Sequence, residues 1–168
     1  MRYEKTVICI LASLLVLGLV FTAAHADTTK KIQKTLKANY AKIAEGFKHN
    51  NPEVWIGFLV PDFQLKLFNG TVQDRKWVED YVRNNAKTFT ILKLSMEVKE
   101  LTVEGDEATA IVEQKSSRTF DEQGQPHELD VGALQREIWT KTSSGWRLKR
   151  VEEWKVLYLL KDGKPMTQ

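Results

Sequence analysis

The chain is poor in the residues that most often announce chemistry. It has one cysteine, Cys9, in 168 residues. That residue lies in an apolar run near the start, so the remainder has no thiol for a disulfide, a nucleophile or a zinc site. Beyond that run, stability must come from a packed core alone. Histidine is nearly as scarce, with three at positions 25, 49 and 127, too dispersed for metal-ligand spacing. There is no G-x-S-x-G, no phosphate-binding glycine loop and no Cys/His arrangement. Charge of one sign is also missing. The formal net charge is only +3, and basic residues alternate with acidic ones, which is not the massed basic footprint of a nucleic-acid binder. Neither cofactor nor metal is expected. No internal repeat or low-complexity segment is visible, and the length suits one domain with a proper core.

What is present begins with a targeting signal. Arg2 and Lys5 form a short basic start, residues 7–21 are almost wholly apolar, and Ala24-His25-Ala26 places small residues at both cleavage-determining positions. Residues 1–26 read as a secretory signal peptide, which makes the mature protein periplasmic or secreted. An apolar run of this length can begin to span a bilayer, so membrane attachment through an uncleaved segment stays open. Cys9 sits too early in the run to be a lipid acceptor.

Helical periodicity begins after a cap at Asp27-Thr28-Thr29, with Ile32, Leu36, Tyr40, Ile43 and Phe47 in one apolar stripe and lysines on the wet side. Tyr40 has the only polar tip in that stripe, so its hydroxyl should seek a partner if buried. Asn51-Pro52 opens a short helix with Trp55, Phe58 and Leu59 inward, which Pro61 should stop. Residues 62–68 alternate as a short strand, Asn69-Gly70 turns the chain, and residues 74–85 read as a third helix with Trp77, Val78, Tyr81 and Val82 inward.

From there the period is two. Residues 89–103, 107–120, 130–142 and 146–160 predict four long antiparallel strands, joined at Glu104-Gly105-Asp106, by a longer loop over 121–129, and at Ser143-Ser144-Gly145. Glu113, Gln114, Lys115 and Arg118 read as a solvated strand end. The tail, residues 161–168, reads as a turn and a free end.

The order of elements, the strand end Glu137-Ile138-Trp139-Thr140-Lys141 and the strand start Gly145-Trp146-Arg147-Leu148 resemble the nuclear transport factor 2-like superfamily, and within it the SnoaL-like group. The resemblance covers about residues 28–160. It implies an α+β fold: a cone-shaped, curved antiparallel sheet wrapped around the long N-terminal helix, with two shorter helices and a pocket in the mouth, over a domain of residues 27–160. Members include ketosteroid isomerases, polyketide cyclases, dehydratases and limonene-epoxide hydrolases, beside non-enzymatic binding and dimerisation domains.

The last strand carries the candidate site. Strict alternation puts Trp146, Leu148, Arg150, Glu152 and Trp154 on one face, where buried ionisable groups must be paired or used. Its register against the preceding strand is open. A tight loop at Ser143-Ser144 pairs Glu137 with Arg150 and Trp139 with Leu148, whereas a three-residue loop pairs Arg136 with Glu152; the first is preferred. The expected pocket residues are therefore Tyr40, Trp55, Glu137, Trp139, Arg150, Glu152 and Trp154. Arg150 would clamp Glu137 and Glu152, and Glu152 is the weak candidate for a catalytic base. The enzymes of the resemblance generally use an aspartate or histidine base, and the sheet offers neither. Three functions stay open: binding of a small apolar or weakly anionic molecule, small-molecule isomerase, cyclase or hydrolase chemistry, and dimerisation. Val151 with Leu134 and Ile138 would form an apolar outer patch for a homodimer.

Overall fold

The computed structural model describes residues 28–166. The expected signal peptide, its cleavage site and the cap at Asp27 lie outside the described residues. The chain divides into two units, Met1–Lys34 and Thr35–Gln168. In the first, residues 28–34 are helical. They begin helix α1, residues 28–48, most of which belongs to the second unit.

Within the second unit, α1 buries Leu36, Tyr40 and Ile43, the stripe that its period of three and four sets on one face. It ends in a Schellman turn. Asn50 takes the left-handed conformation at φ 53°, and its N–H and that of Asn51 donate to the carbonyls of Phe47 and Gly46 at 2.9 and 2.8 Å. Helix α2, Glu53–Ile56, is shorter than expected. Strand β1 already starts at Leu59 and runs to Lys66, so Pro61 lies inside a strand instead of ending a helix. It is tolerated because the pairing of β1 is interrupted between Leu59 and Gln64, where no ladder hydrogen bond is asked of its nitrogen.

Strand β2, Val72–Asp74, leads to helix α3, Arg75–Thr88. The Asp74 carboxylate caps α3 by accepting from the Trp77 N–H at 2.8 Å. Only Val78 of the expected inward side is fully buried; Trp77 and Tyr81 are exposed and stack on each other, centroids 4.9 Å apart. They lie one turn apart, so one exposed edge of the helix carries both.

The long strands are β3 (Phe89–Glu104), β4 (Glu107–Glu122), β5 (Gln125–Thr142) and β6 (Gly145–Lys161). They form an antiparallel meander, and the sheet order is β2-β1-β6-β5-β4-β3. The sheet is mixed, because β1 joins β6 in parallel, a long-range pairing that no local pattern announces. The expected loop over 121–129 is absent. Glu122 pairs with Gln125, and Gln123 and Gly124, both at positive φ, make a two-residue turn of the kind whose twist suits a hairpin. The expected free tail is likewise partly structured, since Lys164–Pro165 form β7 against β6.

Among the described residues, five bulges interrupt the antiparallel pairing of β3 and β6. Each inserts one unpaired residue: Leu92 and Lys99 in β3, and Lys149, Trp154 and Leu157 in β6. Leu92, Trp154 and Leu157 are also among the large apolar side chains left exposed. A bulge residue has no partner opposite it in the ladder, so its side chain is not packed against a cross-strand neighbour.

Candidate functional site

The bulges decide which side chains face the helices. Trp139 pairs with Leu148, as the tight-loop register requires, yet Arg136 pairs with Glu152, as the alternative register requires. Both registers occur, on opposite sides of Lys149. Beyond that bulge the alternation of β6 is inverted, so Val151 and Glu153 point inward while Arg150 and Glu152 point outward.

The inward side chains enclose a cavity of about 230 Å³. Its apolar wall includes Ile43 and Phe47 from α1, Trp55, Val78 from α3, and Phe89, Ile91, Leu94 and Met96 from β3. Gln114, Ser116 and Arg118 of β4, Gln135 and Glu137 of β5, and Val151 and Glu153 of β6 complete it.

Glu137 is the most constrained polar group of this wall. It is 1% exposed. One carboxylate oxygen accepts from the Tyr40 hydroxyl at 2.6 Å and from Trp139 Nε1 at 2.7 Å, and the other from Gln135 Nε2 at 2.6 Å. Burial pushes its carboxyl above the usual range, while the three hydrogen bonds favour the ionised form and pull the other way. Burial, reinforced by the Glu137 charge, also holds the Tyr40 hydroxyl well above its ordinary pKa. The Tyr40 and Trp139 rings meet edge-to-face at 5.7 Å, which fixes both donors on the carboxylate.

Glu153 is the second carboxylate of the wall. It accepts from the Phe68 N–H at 3.1 Å, and burial raises its pKa against that bond. Arg118 is the one cation among the lining residues. Its Nη2 donates to Ser116 Oγ at 3.3 Å, and its guanidinium lies 5.4 Å from the centre of the Phe89 ring. Its Nε is buried without a hydrogen-bond partner, and burial lowers its pKa.

Of the expected site residues, Trp55 and Glu137 line the cavity, and Tyr40 and Trp139 stand behind Glu137 as its donors. Arg150, Glu152 and Trp154 are not brought to it. Arg150 Nε approaches Glu152 Oε1 to 3.0 Å, Arg136 reaches Glu152 at 3.7 Å, and the Arg136 guanidinium lies 5.9 Å from the Trp154 ring. All four belong to the outer face, so the expected clamp of Arg150 on Glu137 does not form. Val151, expected in the outer patch, is buried at 4% exposure. Among the described residues no three His, Cys, Asp or Glu side chains stand together as a metal site.

No family model matches the chain, and no curated protein matches it in sequence. Solved structures do. A conserved protein from Planctomyces limnophilus DSM 3776 superposes with a TM-score of 0.63 at 14% identity, covering 82% of this chain and 98% of its own. An NTF2-like superfamily protein from Salmonella enterica serovar Typhimurium gives 0.59 at 16% identity, covering 83% and 96%. An NTF2-like protein from Cytophaga hutchinsonii gives 0.57 at 10% identity, covering 71% and 93%.

The fold is nuclear transport factor 2-like. In this NTF2-like cone, β4 supplies the polar inner row Gln114, Ser116 and Arg118, which reads from sequence as a solvated strand end. Alternation does set these three apart from Glu113, Lys115 and Ser117. What it lacks is a sign of which row is inside, because both rows are polar. Glu153 could be found only by knowing of the bulge at Lys149.

Proposed function

We propose that this domain binds a small, largely apolar molecule in its cone. The observation that carries the reading is the cavity itself: about 230 Å³, walled mainly by aliphatic and aromatic side chains, with a few polar groups converging on it. An apolar cavity of about 150 Å³ already accepts benzene, so there is room for one ring and a substituent. Native mass spectrometry of protein purified from its own host tests the reading. A co-purified small molecule, lost on denaturation, is expected, and quenching of Trp55 by added ligand should accompany it. A cone that stays empty and accepts no apolar probe ends this reading.

One observation favours a second reading, an enzyme of the isomerase, cyclase or hydrolase type. Glu153 lines the cavity with a pKa raised by burial and with no ion pair among the described residues, which is the state a general base needs. Glu137 is less suited, since three donors already occupy its carboxylate. Turnover that disappears in Glu153→Gln while the ligand still binds would establish the enzyme.

Export belongs to the proposal as well. Cleavage after Ala26 should leave Asp27 as the mature N-terminus, measured by intact mass of the secreted or periplasmic fraction. Full-length protein in the membrane fraction would replace export with anchoring.

A further inference from the structure

We infer that the cavity takes a small monocarboxylate, about the size of a single-ring aromatic acid, with the carboxylate on Arg118 and Ser116. This rests on the reading of the cone as a ligand site and adds the ligand's charge, size and direction.

The argument starts from how the arginines are used. Arg75, Arg83, Arg136 and Arg150 each lie within ion-pairing distance of a glutamate. Arg118 and Arg147 have no such partner among the described residues; Arg147 Nη1 donates to the Trp146 carbonyl at 3.1 Å, and of the two Arg118 lines the cavity. Its protein hydrogen bond goes to a neutral hydroxyl, and Nε is buried with none. A guanidinium carries five donors in a fixed fork, and leaving a desolvated one unmatched costs stability. A carboxylate presented from the cavity would match the fork, and the Ser116 hydroxyl could donate to it.

The two carboxylates of the wall do not serve this purpose because of where the strands place them. Glu137 is paired across the sheet with Ala110 and Arg118 with Leu129, so the levels of Glu137 and Arg118 differ by about 26 Å along the strand at the usual rise. Gln135, paired with both Val112 and Glu153, puts Glu153 about 20 Å from the level of Arg118 by the same rise. The cavity therefore has a cationic end and an anionic end. A ligand with one negative charge fits with its charge at Arg118, and a second negative charge would find no further cation among the lining residues. The apolar side chains nearest the cationic end, Phe89, Ile91 and Leu94, suit a ring.

The test compares phenylacetate with its neutral isostere phenylacetamide on the full domain by calorimetric titration. Wild type should bind phenylacetate at least about tenfold more tightly, the order expected of a charge-assisted hydrogen bond. Arg118→Met should abolish that preference and leave phenylacetamide affinity within about twofold, by the same arithmetic. Its melting temperature without ligand should be no lower than that of wild type. If Arg118→Met does not fold, Arg118→Lys carries the test, because it keeps the charge but loses the fork; it should weaken phenylacetate and spare phenylacetamide. Equal affinities on wild type, or a preference that survives the substitution, overturn the inference and leave the cone as a neutral-ligand site. Binding of neither compound also overturns it, and the co-purified molecule then decides separately whether the cone holds any ligand.

Discussion

On the outer face of β5 and β6, Arg136, Glu152 and Arg150 stand together as an ion-pair chain with the arginine side chains 49% and 34% exposed. On the inner face of β4 and β5, a glutamate and an arginine are kept apart. Glu137 is satisfied by a phenol, an indole and an amide, and Arg118 by one hydroxyl. The same strands thus pair opposite charges on the partly exposed outer face and leave them unpaired on the inner one. Outer pairs of this kind contribute little to stability. An uncancelled inner charge lowers stability and is available to a ligand, which is the trade expected at a binding site.

The largest effect should come from breaking the inner glutamate. Glu137→Ala leaves the Tyr40, Trp139 and Gln135 donors unpaired inside the fold, and should cost on the order of 3 kcal/mol in urea denaturation. Glu137→Gln keeps an acceptor and should cost less. A loss under about 0.5 kcal/mol, typical of a surface change, would show that water reaches those donors and would erase the contrast between the faces.

The pH dependence should be next in size. Burial raises the pKa of both inner carboxyls, Glu137 and Glu153. The folded state then holds their protons more tightly than the unfolded state. Stability from this source is complete below the unfolded carboxyl pKa and falls as pH rises through the folded values. The difference in melting temperature, wild type minus Glu153→Gln, should therefore decrease as pH rises from about 4 upward. A difference that does not change with pH would mean that Glu153 is solvated.

Arg118→Met should be neutral or stabilising by up to about 1 kcal/mol in the absence of ligand, because it removes a desolvated charge with no opposing charge. A clear loss would mean that its contact with Phe89 holds the fold. The smallest effect belongs to Arg150→Ala. The clamp expected from strict alternation would make that change severe, but on the outer face it should stay within about 1 kcal/mol and shrink further in high salt. A larger, salt-independent loss would restore Arg150 to the interior.

The α1 stripe, the turn at Ser143-Ser144 and the four long strands were legible in the sequence because each rests on residues close together in the chain, whereas the caps and the Gln123-Gly124 turn were not. A period near 3.6 or 2 and a two-residue turn are local facts about backbone geometry. From them came the order of elements and, through Glu137-Ile138-Trp139-Thr140-Lys141 and Gly145-Trp146-Arg147-Leu148, the NTF2-like fold. Tyr40 as a stripe residue in need of a partner was legible for the same reason. Its partner was not, being 97 residues away. Only the tertiary structure decided which face of β6 lies inside. One extra residue at Lys149 exchanges Arg150 and Glu152 for Val151 and Glu153, and whether a residue bulges depends on strands and helices far along the chain that must be wrapped. Arg118 was hidden by the same limit. Local alternation can sort a polar strand into two rows, but only packing against the helices says which row loses its water.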